Sequence, residues 1–466
     1  MREIVDFAER TVQMDKTKGF DFERLTTSGE VDCACGQKHS TDMKILAAGR
    51  GIIEEVPAAL EKLNVRRPMV VSGPFSFEAV GKKVCGILEN AKIAHSVFVF
   101  EKTGTKKLQP NEEAVAKIIE HFDPRCDVLL CVGSGSVGDV CKAAATELKV
   151  PQLTVGSAPS MDGYTSASAS LELHNTKTSV SVNAPVGVIC DVELMAQAPM
   201  RLLWAGLGDM AAKPCSLCEW EMASVILGEH YCPYTVDLVK QSYERSFSGA
   251  PGIPERSLDS VQAVIEGLLL SGVCMSYVHS SRPASGLEHY FSHCWEMMAI
   301  ARGKEYDLHG IYVGIGAVLT LHIFRKLRQL HPDRENAEMA AAAFDRAAWE
   351  ARLRRVFHGT AENFIALEEK VRKNDRENRM QRVDRILENW DQLVRILEKA
   401  PEPEELEGIL RSAGMPTKAG EIGLSADDAA DAFVCSRDTR DKYLTSSLLW
   451  DIGYMDEFEA FVRELV

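Results

Sequence analysis

The chain has no apolar leader and no apolar run that reads as long enough to cross a bilayer: it starts Met-Arg-Glu-Ile-Val-Asp-Phe-Ala-Glu-Arg, charged throughout. Neither a secretory signal nor a membrane span is therefore expected, and the chain reads as cytoplasmic. An excess of positive charge is also missing. With Lys+Arg 53 against Asp+Glu 68, the formal net charge is -15 and the pI near 5.4. A surface that binds nucleic-acid backbone or anionic lipid needs a basic stripe, so those classes are excluded, and any anionic ligand must meet a local cation cluster or a helix N-terminus. No internal repeat or low-complexity segment occurs, and the charged stretch 370–382 mixes both signs, the pattern of a solvated helix face. A disulfide framework is not expected either. The 13 cysteines are odd in number and scattered, with Cys131, Cys190 and Cys274 inside apolar stretches. Two groupings come near a metal motif: Cys33-Ala-Cys35 with His39, and Cys215-x-x-Cys218. The first is spaced too tightly for a usual zinc knuckle and the second sits in a helical stretch without a complementary pair, so both are expected to be ordinary thiols.

What is present is a chain of 466 residues, longer than one core keeps growing, so two or more domains are expected. From about residue 43 to 195, short β-branched runs alternate with helical stretches: Pro68-Met-Val-Val-Ser72, Ser96-Val-Phe-Val-Phe100, Asp127-Val-Leu-Leu-Cys-Val132, Gln152-Leu-Thr-Val155 and Gly187-Val-Ile-Cys-Asp191. Strands apolar on both faces, with helices between them, predict a mostly parallel sheet covered on both sides. After about residue 196 only helical periods remain, over residues 202–227, 258–278, 287–302, 311–330, 337–357 and 360–372, and the tail from 381 continues in short amphipathic pieces. The expected organisation is an α/β Rossmann-like domain over residues 1–195 followed by an all-helical domain over 196–466.

Within the first half, Gly133-Ser-Gly-Ser-Val-Gly-Asp139 ends a buried strand and opens a helix of small residues. Gly133 and Gly135 let the backbone approach a ligand, and the amides of Ser134 to Val137 at the helix N-terminus attract a pyrophosphate. The spacing differs from Gly-x-Gly-x-x-Gly with a carboxylate about twenty residues on, so the ordinary dinucleotide motif is not met. A second turn, Thr154-Val-Gly-Ser-Ala-Pro-Ser-Met-Asp162-Gly-Tyr-Thr-Ser166, follows the next strand and is rich in hydroxyls. At the C-terminal edge of a parallel sheet those groups suit a nicotinamide ribose and ring.

The helical half carries Gly206-Leu-Gly-Asp209 with Lys213 one helical turn on, His289 and His293 at i and i+4, and His309 before Gly310, where a loop end can turn its ring back. Any one of these histidines reads as a buried structural residue when taken singly. Asp209, His289 and His309 together offer one carboxylate and two imidazoles, a borderline set for a divalent metal that leaves a position open for substrate or water.

At these residues the chain resembles the iron-containing alcohol dehydrogenase and dehydroquinate synthase superfamily, and within it the sn-glycerol-1-phosphate dehydrogenases, in their bacterial branch. The family run Gly-x-Gly-Ser-x-x-Asp-x-x-Lys stands as Gly133 to Lys142 and Pro-Ser-x-Asp-Gly as Pro159 to Gly163. The Gly-x-Gly-Asp helix start is Gly206 to Asp209, and Arg-Pro-Ala-Ser-Gly-x-Glu-His-x-x-x-His runs from Arg282 to His293. The likeness spans about residues 40–330. It implies a dehydroquinate-synthase-like fold, and a zinc, nickel or iron ion on Asp209, His289 and His309. NAD(H) or NADP(H) would lie against Gly133, Gly135, Ser136, Val137, Gly138, Asp139, Ser157, Ala158, Pro159, Ser160 and Ser166, and substrate against Asp162, Asp209 and His293. It also implies a homodimer. Where relatives often end the first strand with a carboxylate for the adenosine ribose, this chain reads Ser72-Gly73-Pro74, so a 2′-phosphate is not repelled.

The implied reaction is reduction of dihydroxyacetone phosphate to sn-glycerol 1-phosphate, with the metal as Lewis acid, hydride from the nicotinamide, and the proton arriving through water or His293. Lys213 and Arg282 are the nearest sequence candidates for holding the substrate phosphate, although Arg282 can instead pair with a carboxylate on its own loop. Three other readings are a polyol dehydrogenase needing no phosphate cluster, a dehydroquinate-synthase-like lyase that uses NAD transiently, and a binding protein without activity. The last is disfavoured because every ligand position is filled.

Overall fold

The computed structural model describes residues 14–15, 19–27, 29–102, 108–173 and 176–466, so the charged start, residues 1–10, lies outside the described residues. The chain forms two compact units, one of residues 1–210 and 232–281, the other of residues 211–231 and 282–466.

The first unit is built on six strands: β1 Ile45–Gly49, β2 Pro68–Ser72, β3 Ser96–Val99, β4 Val128–Gly133, β5 Gln152–Gly156 and β6 Gly187–Asp191. They lie in the order β1-β6-β5-β4-β2-β3, and every neighbouring pair is parallel. Every residue of β2, β4, β5 and β6 is buried. Alternate side chains supply two separate cores: Val70, Val128, Leu130, Val132, Leu153 and Val155 on one face, Met69, Val71, Leu129 and Cys131 on the other. This is why the strands read as unbroken apolar runs rather than as alternating ones.

No strand follows Asp191 among the described residues, in agreement with the change of pattern near residue 196. That change does not coincide with the boundary between compact units. Residues 196–210 and 232–281 cluster with the sheet. The reason is close packing of small residues: a Cβ on Gly272 would stand 2.4 Å from the carbonyl oxygen of Asp162, so the helix Leu258–Tyr277 lies directly on the second ligand turn.

Two segments expected as single helices are split. Residues 202–227 form α1 Met200–Ala211 and α2 Lys213–Leu227, because Pro214 in the first turn of α2 cannot donate back to the preceding turn. Residues 337–357 divide into Arg334–Ala342 and Arg346–Phe357, where the Asp345 side chain accepts from the amides of Ala347 and Ala348 and starts a new helix. The expectation that no run reaches membrane-span length is corrected. Leu258–Tyr277 and His309–Leu327 are long and apolar enough, but 78% and 83% of their most apolar windows are buried inside the protein, as core helices are.

Candidate active site

Two glycine-containing turns leave the sheet side by side, because Gly133 ends β4 opposite Gly156 at the end of β5. The amide of Ser157 donates to the Gly133 carbonyl at 3.0 Å and extends the pairing by one residue. The helix after β4, Gly135–Leu148, starts without a side-chain cap at Ser134, and Ser134, Gly135 and Ser136 are partly exposed. Its first amides are thus available to an anion at the carboxyl edge of a parallel sheet. The two glycines serve different ends, and Gly133 departs from the role expected of it. A Cβ on Gly133 would meet Val137 at 2.6 Å, so this glycine makes room for the helix, whereas one on Gly135 would meet only Met161 at 3.6 Å.

Asp139, expected to contact cofactor, is turned inward. Its carboxylate lies 2.9 Å from Lys142 Nζ and accepts from the Ser170 amide at 3.1 Å. Lys142, also buried, donates to the carbonyls of Gly163 and Ser168, and the Ser166 hydroxyl donates to the same two oxygens. Lys142, held by Asp139, therefore ties the first turn to the second, and Ser166 braces the second turn from within. Tyr164, also of the second turn, closes it on itself at the Ala158 carbonyl, 2.6 Å away, and lies 3.4 Å from the Gly133 carbonyl of the first.

At the end of β2, Ser72 is fully buried and donates to the Val132 carbonyl at 2.7 Å, so it presents no charge at the sheet edge. Nearby, Phe75 is half exposed and Lys102 Nζ lies 5.1 Å from its ring centre.

Asp209 sits in the last turn of α1, not at a helix start. Its Oδ2 accepts the amide of Asp162 at 2.8 Å, and Asp162 Oδ2 accepts from the Ser271 hydroxyl at 2.9 Å. Asp209 is thereby oriented by the backbone of the second turn and Asp162 by the Ser271 hydroxyl. The approach of α1 to that turn depends on Gly206, where a Cβ would stand 1.8 Å from the Pro159 carbonyl oxygen. Neither backbone can give way by that much, so Gly206→Ala is expected to destabilise the protein by about 3 kcal/mol, the upper end of the usual range of about 1–3 for overpacking. A raised KM for the nicotinamide cofactor should accompany a lowered Tm. An unchanged Tm would mean that the turn is free to move.

In the second unit, α3 Leu287–Ala301 carries His289 and His293. Helix α4, His309–Leu327, begins with His309 itself, so this residue opens a helix rather than ending a loop. The rings of His293 and His309 stack with centres 5.1 Å apart, and those of His289 and His309 are 5.3 Å apart. His289 and His309 are each backed by a fully buried carboxylate, Glu288 and Glu296, that the sequence did not single out. His289 Nδ1 lies 3.1 Å from Glu288 Oε1, and His309 Nδ1 lies 2.6 Å from Glu296 Oε1 and 2.9 Å from the Ser292 hydroxyl. A carboxylate on Nδ1 fixes the tautomer that keeps Nε2 as the electron-pair donor, which is the arrangement of a metal-ligating histidine. Glu288 precedes His289 and Glu296 follows His293 by three, so the only available signal was a carboxylate near each candidate. His293 is held neutral, well below the usual histidine range, first by burial, then by Arg440 and the neighbouring His309.

The loop ahead of α3 is held at nearly every peptide. Ser216 donates to the Pro283 carbonyl at 3.0 Å, Lys213 to Ala284 at 3.1 Å and Lys442 to Ser285 at 2.8 Å, while Glu219 accepts the Leu287 amide at 2.8 Å. Lys213 is wholly buried in this role. Arg282 is likewise committed. Its guanidinium forks onto Glu229 at 2.7 and 2.5 Å and donates to the Tyr443 carbonyl at 2.8 Å. The expectation that Arg282 and Lys213 present free cations to a substrate phosphate is corrected: a fork already filled by a carboxylate, and an ammonium spent on a carbonyl, hold the loop. The partner of Arg282 lies beyond α2, not on its own loop. A cation that sequence reading passed over is Arg440, partly exposed, 5.9 Å from the Tyr290 ring centre and the strongest charge acting on His293.

The family model for iron-containing alcohol dehydrogenase matches residues 47–199, the sheet region that carries both turns. The NAD(P)+ glycerol-1-phosphate dehydrogenase of Bacillus licheniformis is 32% identical over 310 residues, covering 66% of this chain and 77% of that protein. The enzyme of the same name from Methanococcoides burtonii is 35% identical over 277 residues, 59% of this chain and 74% of the relative. Among solved structures, glycerol dehydrogenase from Schizosaccharomyces pombe superposes with a TM-score of 0.55 at 14% identity, covering 91% of each chain, a likeness of fold alone. With both turns, the aligned carboxylates and the carboxylate-backed histidines in place, the chain belongs to the glycerol-1-phosphate dehydrogenase family, within the iron-containing alcohol dehydrogenases.

Proposed function

We infer that this protein is an NAD(P)-dependent oxidoreductase that interconverts dihydroxyacetone phosphate and sn-glycerol 1-phosphate. The observation that carries the reading is the pair of imidazoles, His289 and His309, each oriented by its own buried carboxylate, in a chain related over most of their length to enzymes of that name. The donor chemistry of His289 and His309 fits a divalent metal, to whose ligands the family likeness adds Asp209, and the uncapped helix at Gly135 fits a pyrophosphate. When bound, the metal would supply Lewis-acid polarisation of the ketone and the nicotinamide its hydride. Zinc, nickel and iron all accept such ligands.

The chain's own residues supply position and protonation. Ser136, Val137, Gly138, Ala158 and Ser160 line the cofactor turns, with Asp139 and Ser166 behind them. Asp162, Asp209 and His293 are assigned to the substrate. His293, kept neutral, offers one N–H and one lone pair, so it takes a proton from solvent on the free nitrogen as it gives up its N–H, and relays a proton to the product oxygen by way of water. Arg440 replaces Arg282 and Lys213 as the cation for the phosphate. We assign the enzyme to the cytoplasm, to phospholipid metabolism and to a homodimer on the family's pattern.

The test is reduction of dihydroxyacetone phosphate and dihydroxyacetone side by side. The phosphorylated ketone should be strongly preferred, and Arg440→Ala should remove that preference while leaving dihydroxyacetone nearly untouched, since a site built for a charged group discriminates through it. NADPH should serve within roughly tenfold of NADH, about 1.4 kcal/mol, because Ser72 is buried and Lys102 adds a cation beside Phe75. Equal rates on both ketones would instead favour the polyol dehydrogenase reading.

A further inference from the structure

We propose that Cys33, Cys35, His39 and Cys232 form a second, structural metal site for zinc or another thiophilic divalent ion, in the sheet-bearing unit. In sequence the pair Cys33-x-Cys35, followed by His39, is too tightly spaced for a usual zinc knuckle, and a fourth ligand is needed. The fold supplies one from almost two hundred residues away. One ligand atom from each of the four residues lies within 4.8 Å of every other. Cys33 Sγ is 3.7 Å from Cys232 Sγ, Cys35 Sγ is 3.4 Å from His39 Nε2, and His39 Nε2 is 3.2 Å from Cys232 Sγ. A tetrahedron with the usual zinc–sulfur and zinc–nitrogen lengths has edges of about 3.8 Å between sulfurs and about 3.6 Å between sulfur and nitrogen. The observed separations are near those edges and far beyond a sulfur–sulfur bond of about 2.05 Å.

The surroundings are those of a ligand set. Val31–Asp32 and Lys38–His39 pair as a short antiparallel hairpin, closed by Gly36 at φ 84° with its amide on the Cys33 carbonyl, so both cysteines project from one tight loop. His39 is fully buried between the rings of Tyr234 and Tyr277, and its Nδ1 donates to the Tyr277 carbonyl at 2.9 Å. That bond fixes the tautomer and points the Nε2 lone pair at the thiols. Cys232 is the N-cap of the 17-residue helix Pro233–Gly249, and its sulfur accepts the Thr235 amide at 3.4 Å. A helix N-terminus and an N–H donor both favour thiolate over thiol. An apolar core of thiols requires none of this orientation. Binding converts three thiols to thiolates and releases their protons, leaving one negative charge on a site with a divalent ion. The chain re-enters the sheet unit at Cys232, so the metal would pin that return to the N-terminal hairpin.

Metal analysis of the purified protein tests this with a background in which the catalytic ligands are disabled. His289→Ala protein should still carry one equivalent of zinc, and adding Cys232→Ser or His39→Ala should remove it. The full wild-type chain loaded with cobalt should show intense thiolate-to-cobalt charge-transfer bands, a readout that needs no variant to fold and that a site of carboxylate and imidazoles cannot give. Zinc-free His289→Ala protein that takes up none on anaerobic reconstitution would overturn the proposal. So would a cobalt spectrum without charge transfer, or a Cys33–Cys232 disulfide found by mass spectrometry of unreduced protein.

Discussion

Replacing His309 by alanine is expected to lower kcat/KM by about a thousandfold or more, equivalent to roughly 4 kcal/mol of transition-state stabilisation. A three-ligand site has no ligand to spare. Bound metal at that site should be lost together with activity. The buried carboxylate behind it makes the prediction more specific. Glu296→Gln keeps the shape of the side chain but exchanges a charged acceptor at 2.6 Å from His309 Nδ1 for a neutral amide. Metal affinity or activity should then fall by about 10- to 100-fold, the usual effect of losing such a partner. Glu288→Gln should act on His289 in the same way. Isothermal metal titration with parallel kinetics distinguishes a weakened ligand from a disturbed fold: in the first case excess metal restores kcat, and in the second it does not. Undiminished turnover by His309→Ala protein stripped of metal would end the assignment of this residue as a ligand.

Arg282→Ala is expected to unfold the second unit more readily rather than to change substrate choice. The guanidinium is buried, paired in a fork with Glu229 and bonded to the Tyr443 carbonyl. Removing one partner of a buried pair costs about 3–5 kcal/mol, because the other charge is left without compensation. Glu229 keeps 31% side-chain exposure, so solvent recovers part of the loss. A value near the lower end, about 3 kcal/mol, corresponds to a fall in Tm of roughly 6–12 °C. Arg282→Lys should rescue little, since one ammonium cannot reproduce a planar fork. The ratio of rates on dihydroxyacetone phosphate and dihydroxyacetone should stay near that of the wild type, in contrast to Arg440→Ala. A selective loss of the phosphorylated substrate in Arg282→Ala at unchanged Tm would return the phosphate to Arg282.

These two experiments also mark the limit of local reading. Arg282 stands at the head of a family run and looks like a free cation in sequence; its carboxylate, Glu229, lies 53 residues away and becomes its partner only when α2 and the loop before α3 fold together. Cys33 and Cys35 read as ordinary thiols because Cys232 is 199 residues from Cys33. Asp139 reads as a cofactor contact, yet Lys142 one turn on claims its carboxylate.

By itself the sequence determined the parallel sheet, the two ligand turns at its edge, the helical remainder, the candidate metal ligands and the family. All of these are signalled locally, through strand and helix periodicity, glycine at the end of a buried strand, and short runs of residues that carry chemistry. The tertiary structure alone decided which helices fold with the sheet, which carboxylates stand behind His289 and His309, where Arg282 and Lys213 spend their charge, and how Cys232 meets the N-terminal hairpin. Each of those outcomes depends on a pairing between distant segments, and a buried charge or thiol takes its role from whichever partner the packing brings within hydrogen-bonding distance.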